Sequence, residues 1–247
     1  MNLEGKNFLI LGASSGIGRN LSIRLIKSNA NVTAIGRSVE KLKNLEKEVN
    51  SDLLKTVKFE VNSLEEFIDF LKSLIKKNSP YQGIFNSVGV ENVKTLKLIG
   101  KRDFEEVFMP IFNSSLGLIK MSFKDNFLVQ KGSIVIMSSV SSISGKAGLG
   151  LYASARGAVE SLSRSAAHEL SRKRKRINLI RAGAIQTEMH SRLISKLSQN
   201  QIDEYENQHL LGFGQPSDVS SMAMYLLSDE SKWINGTTVN LDGGYLA

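Results

Sequence analysis

The sequence predicts a single α/β domain spanning residues 1–247, a doubly wound parallel sheet of seven strands with helices on both faces. Three observations carry this expectation. Short β-rich runs alternate with helical patterns along the chain, the signature of βαβ units. Several of the runs are continuously apolar, as strands buried on both faces are, instead of alternating apolar with polar. A length of 247 residues suits one such domain, and only three prolines leave little material for linkers.

The elements follow in a regular order. The first strand is residues 7–11, NFLIL, and the glycine-rich GASSGIG leads from it into a helix over 16–29 with Ile17, Leu21 and Leu25 on its apolar side. A strand over 31–35, a helix over 39–49 and a strand over 56–60 come next. In the helix 64–75, Leu64, Phe67, Ile68, Leu71, Leu74 and Ile75 recur at helical spacing and form one stripe for the sheet. Strands over 83–85, 133–137, 177–180 and 237–241 alternate with helices over 102–127, 152–170 and 216–227. The segment 188–214 breaks this rhythm, being polar, charged and helical with no strand beside it. Because it follows a strand end, where open α/β sheets place ligands, it reads as a substrate lid.

Composition excludes several classes of function. With 41% apolar and 23% charged residues the chain is ordinary globular protein. The absence of cysteine removes disulfides and thiolate metal sites, and His168, His190 and His209 show no ligand spacing, so no metal is expected. The first apolar run is short, follows Glu4 and stops at glycine, which fits a strand better than a signal peptide. No stretch approaches the roughly 20 apolar residues of a membrane span, so a cytoplasmic protein without a membrane partner is expected. Of the formal charge of +8, five cations lie together in Arg172, Lys173, Arg174, Lys175 and Arg176. Cations at a helix C-terminus complement its dipole, and this run reads as a solvated helix end. No stacking aromatics interleave with it, so nucleic acid is not an expected partner.

The chemistry is concentrated at the strand ends. Gly12, Gly16 and Gly18 follow the first strand and open a helix, with Ser14, Ser15 and Ile17 between them. Glycines let the backbone turn sharply and approach a pyrophosphate, while the helix N-terminus supplies amide donors and partial positive charge. In this context the spacing points to a Rossmann-type dinucleotide site. The second strand ends AIGR, with no acid to hold a ribose 2′-hydroxyl. Arg37 with Ser38 offers donors for a 2′-phosphate, which favours NADP over NAD. Ser38 also fits an ordinary helix N-cap.

Further along, NSVG at 86–89, SSV at 138–140, YASAR at 152–156, RINLIRAG at 176–183, Thr187 and NGTTVNLDGGY near the C-terminus complete a pattern. With these motifs the chain resembles the short-chain dehydrogenases/reductases over nearly its whole length, and most of all their 3-oxoacyl-carrier-protein reductase type. The resemblance implies hydride transfer between a nicotinamide and a carbonyl or secondary alcohol, possible substrates including acyl thioesters. It implies Tyr152 as general acid/base and Ser139, thirteen positions earlier, as the holder of the substrate oxygen. A tyrosine hydroxyl, with an ordinary pKa of about 10, needs a nearby cation to act at neutral pH. The implied cofactor site is completed by Glu60, Val61, Asn86, Val88, Gly89, Tyr152, Arg156, Gly183, Ile185 and Thr187.

Two departures touch the proton relay. Where the family carries lysine four residues after the tyrosine this chain has Arg156, which keeps the cation but does not give up a proton in a protein. The relay asparagine falls on Ile111, with Asn113 two residues away. Milder differences are Leu11, Ser87, Val88 and Ala182, in walls that act largely through backbone. A second expectation therefore stands beside a working reductase: a dinucleotide-binding protein or sensor that has lost the reaction. The resemblance also implies a homotetramer or dimer through the helices 102–127 and 152–170. The substrate would be chosen by 188–214 and by the loop 140–151.

Overall fold

All seven strands join one parallel sheet in the order β3-β2-β1-β4-β5-β6-β7. They are β1 (Asn7–Leu11), β2 (Asn31–Gly36), β3 (Leu54–Lys58), β4 (Tyr81–Asn86), β5 (Leu128–Ser139), β6 (Arg176–Ala182) and β7 (Thr238–Leu241). The computed structural model describes residues 1–75, 80–90 and 92–247. The strand order reverses at β1, which pairs with β2 on one side and β4 on the other. That reversal opens a crevice at the carboxyl ends of the strands, where a ligand can enter without displacing a crossover helix.

The helices are α1 (Gly16–Lys27), α2 (Val39–Val49), α3 (Leu64–Ile75), α4 (Lys101–Asp103), α5 (Met109–Ser122), α6 (Ser141–Ser144), α7 (Gly150–Ser171), α8 (Glu188–Ile194), α9 (Gln199–Asn207) and α10 (Pro216–Leu227). Alternate residues of each apolar strand serve opposite faces of the sheet. Leu9, Leu11, Ile134 and Ile136 join Phe67 and Leu71 of α3, Leu118 of α5 and Val159 of α7 in one core. Phe8, Ile10, Val135 and Met137 join Leu21 and Leu25 of α1 and Val219 and Ala223 of α10 in the other. Fully burying each such side chain contributes about 1.5–3 kcal/mol, so both layers hold the strand ends rigidly in register.

Several predicted boundaries move for identifiable reasons. The third strand runs over Leu54–Lys58 instead of 56–60; beyond it Phe59 N still donates to the Gly36 carbonyl at 3.0 Å while its ring stacks on Phe70 at 4.0 Å. The helix predicted over 102–127 is three pieces: α4, a π-helical turn at Phe104–Phe108, and α5. It stops at Ser122, whose carbonyl oxygen accepts from Lys175 Nζ at 2.8 Å, while Phe127 packs edge-on against Tyr81 at 5.6 Å. The fifth strand starts five residues early, its pairing with β4 shifting register between Tyr81 and Gly83.

The basic run is not wholly the solvated helix end that its composition implies. Arg172, Lys173 and Arg174 are exposed, but Lys175 and Arg176 are buried. Lys175 bonds the C-terminal carbonyl of α5 and Asp125 Oδ1. Arg176 donates to the carbonyls of Leu226 and Ser228 at the end of α10. Both cations satisfy orphan helix carbonyls where the dipole is negative. Among the described residues no helix is long and apolar enough to cross a membrane.

Candidate active site

A cleft of about 930 Å³ opens over the carboxyl ends of the strands. Its floor is the glycine turn after β1. Gly12 has φ +79°, and a Cβ there would lie 2.5 Å from Ser87 Oγ, so only glycine fits between the β1 and β4 loops. Gly16, at φ +51°, packs under Thr187. Gly18 does not line the cleft; a Cβ there would meet the Gly12 carbonyl oxygen at 2.5 Å, so its part is to let α1 pack onto the turn. Ser15 is the N-cap of α1 and makes no side-chain cap bond, leaving the first-turn amides without a side-chain acceptor. Ser14, Ser15, Gly16 and Ile17 all face the cleft.

At the end of β2, Gly36 packs against Ser14, and Arg37 extends along the cleft with its side chain 62% exposed, 3.9 Å from Glu60 Oε1. Ser38 caps α2, accepting from Lys41 N at 3.3 Å, and lies outside the lining. Glu60 and Val61 form the neighbouring wall. Beyond β4, Asn86 is buried behind the lining rather than in it. Its Oδ1 accepts from Val88 N at 3.0 Å, and its Nδ2 donates to Ser114 and Ser115 Oγ. It therefore shapes the turn that presents Val88 and Gly89 to the cleft.

Ser139, Tyr152 and Arg156 converge on this same cleft. Ser139 comes from the end of β5, and its Oγ accepts from Ser141 N at 3.2 Å. Tyr152 and Arg156 lie one turn apart on α7, with the guanidinium carbon 5.1 Å from the tyrosine ring centroid. Arg156 is 4% exposed; its Nη1 donates to the Met137 carbonyl at 2.8 Å, and its Nε is buried without a partner. A Cβ on Gly89 would collide with the guanidinium, so a glycine is what admits arginine here. Neither relay candidate on α5 reaches the cleft: Ile111 is fully buried in the core, and Asn113 is buried with its Nδ2 unpartnered.

The far wall is built by 184–214. Gly183, Ile185 and Thr187 line the cleft, and Thr187 Oγ1 caps α8 by accepting from His190 N. The segment leaves and rejoins the body through a short ladder, Gln186 N to Gly214 O at 2.8 Å and Gly214 N to Ala184 O at 3.0 Å. Lys41 of α2 pairs with Glu188 of α8. His190, Tyr205 and Tyr245 also face the cleft, together with Lys146, whose Nζ lies 3.7 Å from the Tyr205 ring centroid. Burial first, and then the neighbouring His209, hold the His190 imidazole below its ordinary pKa, with Glu206 opposing. Sequence reasoning weighed His190 only as a metal ligand and passed over Tyr205. Their signal was position, within a segment already marked by its break in rhythm.

The chain matches the family described as enoyl-(acyl carrier protein) reductase over residues 12–246. It is 28% identical over 246 residues to the 3-oxoacyl-[acyl-carrier-protein] reductase FabG of Thermotoga maritima, covering 99% of each chain. It is 26% identical to the gluconate 5-dehydrogenase of Gluconobacter oxydans, over 98% of this chain and 95% of that one. Among solved structures, a short-chain dehydrogenase/reductase from Brucella melitensis superposes with a TM-score of 0.90 at 24% identity, over 99% of this chain and 98% of that one. A blue fluorescent protein from a metagenomic library, in complex with NADPH, gives 0.88 at 20% identity over the whole of both chains. With the doubly wound sheet, the glycine turn and the Ser139, Tyr152 and Arg156 cluster in place, the chain belongs to the short-chain dehydrogenase/reductase family of oxidoreductases.

Proposed function

We propose that this protein is an NADP-dependent oxidoreductase that moves a hydride between the nicotinamide and a carbonyl or secondary alcohol carbon, with 3-oxoacyl thioesters as the first substrates to test. The observation that carries this reading is the convergence of Ser139, Tyr152 and Arg156 on the cleft floored by the glycine turn. A cradle that a Cβ at Gly12 or Gly16 would obstruct, beside first-turn amides with no side-chain cap, fits a pyrophosphate. Arg37 would hold the 2′-phosphate, with the Ser38 hydroxyl hydrogen still available beside it. Glu60 and Val61 would flank the adenosine end, and Val88, Gly89, Gly183, Ile185 and Thr187 the nicotinamide end. Asn86 and Gly18 act from behind by shaping the backbone.

Bound NADPH supplies the hydride in the reducing direction. Tyr152 gives its hydroxyl proton to the carbonyl oxygen, and Ser139 donates a hydrogen bond to that oxygen, so the product is the neutral alcohol. Arg156 contributes a fixed positive charge beside the ring and keeps its own protons. With Ile111 in the core, Tyr152 is reprotonated from water in the cleft. The segment 188–214 acts as the lid over the substrate, and a homo-oligomer belongs to this reading, testable by light scattering. Consumption of NADPH with a panel of 3-oxoacyl thioesters and simple ketones tests the proposal, Tyr152→Phe lowering it by at least about a hundredfold.

One observation favours a rival, a dinucleotide-binding protein without turnover: Arg156 Nη1 is engaged by the Met137 carbonyl. NADPH binding with no consumption across the panel is the outcome that selects it.

A further inference from the structure

Glu160 sits two helical turns beyond Tyr152 and one beyond Arg156, on the same side of α7. It is a carboxylate only 4% exposed. Its Oε1 accepts from Ser138 Oγ at 2.5 Å, from Ser142 Oγ at 2.7 Å and from Arg181 Nε at 3.1 Å. Its Oε2 accepts from Arg181 Nη2 at 2.6 Å, and Arg181 Nη1 reaches on to Asn240 Oδ1 of β7 at 2.8 Å. Burial pushes the carboxyl pKa up, but the Arg181 and serine hydrogen bonds outweigh it and hold the group below its ordinary value.

An apolar pair would serve the packing of α7 on β5 and β6 at lower desolvation cost. What an apolar pair cannot do is grip two hydroxyls. The serines that Glu160 grips stand on either side of Ser139 and its turn, at 138 and 142. The Ser139 hydroxyl bonds within the turn, to Ser141 N and Ser141 Oγ. The backbone also ties the turn to β6, through the ladder pairing of Ser138 with Arg181 and Ser139 with Ala182 and the bond from Val140 N to Ala182 O at 3.0 Å. The helix that carries Tyr152 thus grips both flanks of the turn that carries Ser139 through the Glu160 carboxylate, beside the Arg156 Nη1 bond to the Met137 carbonyl just before it.

We infer that Glu160 and Arg181 are positioning residues for Ser139, clamping the 138–142 turn so that the serine hydroxyl and Tyr152 address the same substrate oxygen. This rests on the catalytic reading of Ser139 given above. Neither residue lines the cleft, so the clamp acts through the turn and not on a ligand.

The test uses the full chain and three variants: Glu160→Ala, Glu160→Gln, and the double variant Glu160→Met with Arg181→Met. With the clamp gone, Glu160→Ala lowers kcat per folded molecule by about ten- to a hundredfold, as displacements near 1 Å do, while the Kd for NADPH stays within about twofold. Amide exchange across 138–142 speeds by about tenfold against the rest of β5. Glu160→Gln, which still accepts from both serines, recovers part of the loss. The double variant removes the buried charges together and restores stability without restoring kcat. It also carries both readouts if Glu160→Ala does not fold. Unchanged kcat and unchanged exchange in the folded variants overturn the inference. Ser139→Ala separates the two ideas: if the parent has no turnover, or keeps its rate in Ser139→Ala, the catalytic reading fails, and exchange at 138–142 alone decides whether Glu160 clamps the turn.

Discussion

On the proposed reading, Arg37 is the side chain on which cofactor choice turns. It is largely exposed, it pairs with Glu60 at 3.9 Å, and such a loose pair yields readily to a doubly charged phosphate. Arg37→Asp is expected to weaken NADPH binding by at least about tenfold in a fluorescence titration, with NADH affected far less. Gly18 acts through packing alone: Gly18→Ala puts a methyl against the Gly12 carbonyl and is expected to cost about 1–3 kcal/mol in urea unfolding. Lys175→Met leaves the Ser122 carbonyl without its buried donor and is expected to cost about 2 kcal/mol. Residues whose spacing reports a backbone requirement were legible in sequence: Gly12, Gly16 and Arg37 at strand ends, Tyr152 and Arg156 one turn apart. Lys175 and Arg176 were not, because a run of cations looks the same whether it meets water or the carbonyl ends of helices folded beside it. Asn86, expected in the cofactor site, lies one step back from the wall.

At the scale of elements, the segment 188–214 is where pH should act. The folded pKa of His190 lies below the ordinary value of 6.5, because burial and His209 disfavour its cation. Above that ordinary value both folded and opened forms are neutral and the group is indifferent. As pH falls below about 6.5 the opened form takes up the proton first, so acid favours opening. Amide exchange in 188–214 is therefore expected to accelerate relative to the sheet between pH 7 and 5.5, and His190→Phe to remove most of that difference. If exchange there tracks the sheet at every pH, His190 does not govern the segment. The period of 188–214 announced helices, but its anchoring did not show in sequence: the ladder between Gln186 and Gly214 joins residues 28 apart. The π-helical turn at 104–108 left no mark in the apolar pattern.

For the whole molecule, seven β-rich runs with helices between them sufficed for the architecture, and inner strands such as β1 and β5 bury alternate residues in two separate cores. That arrangement makes the sheet a rigid platform and leaves the cleft to the strand-end loops and to the start of α7, which carries Tyr152 and Arg156. Tyr152→Phe keeps the ring that packs at the start of α7, so the fold is expected to hold, and its rate measured at saturating NADPH reports chemistry. The most direct measurement is NADPH oxidation at 340 nm by the native protein and by Tyr152→Phe, against 3-oxoacyl thioesters and simple ketones. A working reductase consumes NADPH only when a carbonyl substrate is present, and Tyr152→Phe at saturating NADPH turns over at least about a hundredfold more slowly. Tight NADPH binding with no substrate-dependent oxidation, or a Tyr152→Phe variant as fast as the native protein, would contradict it.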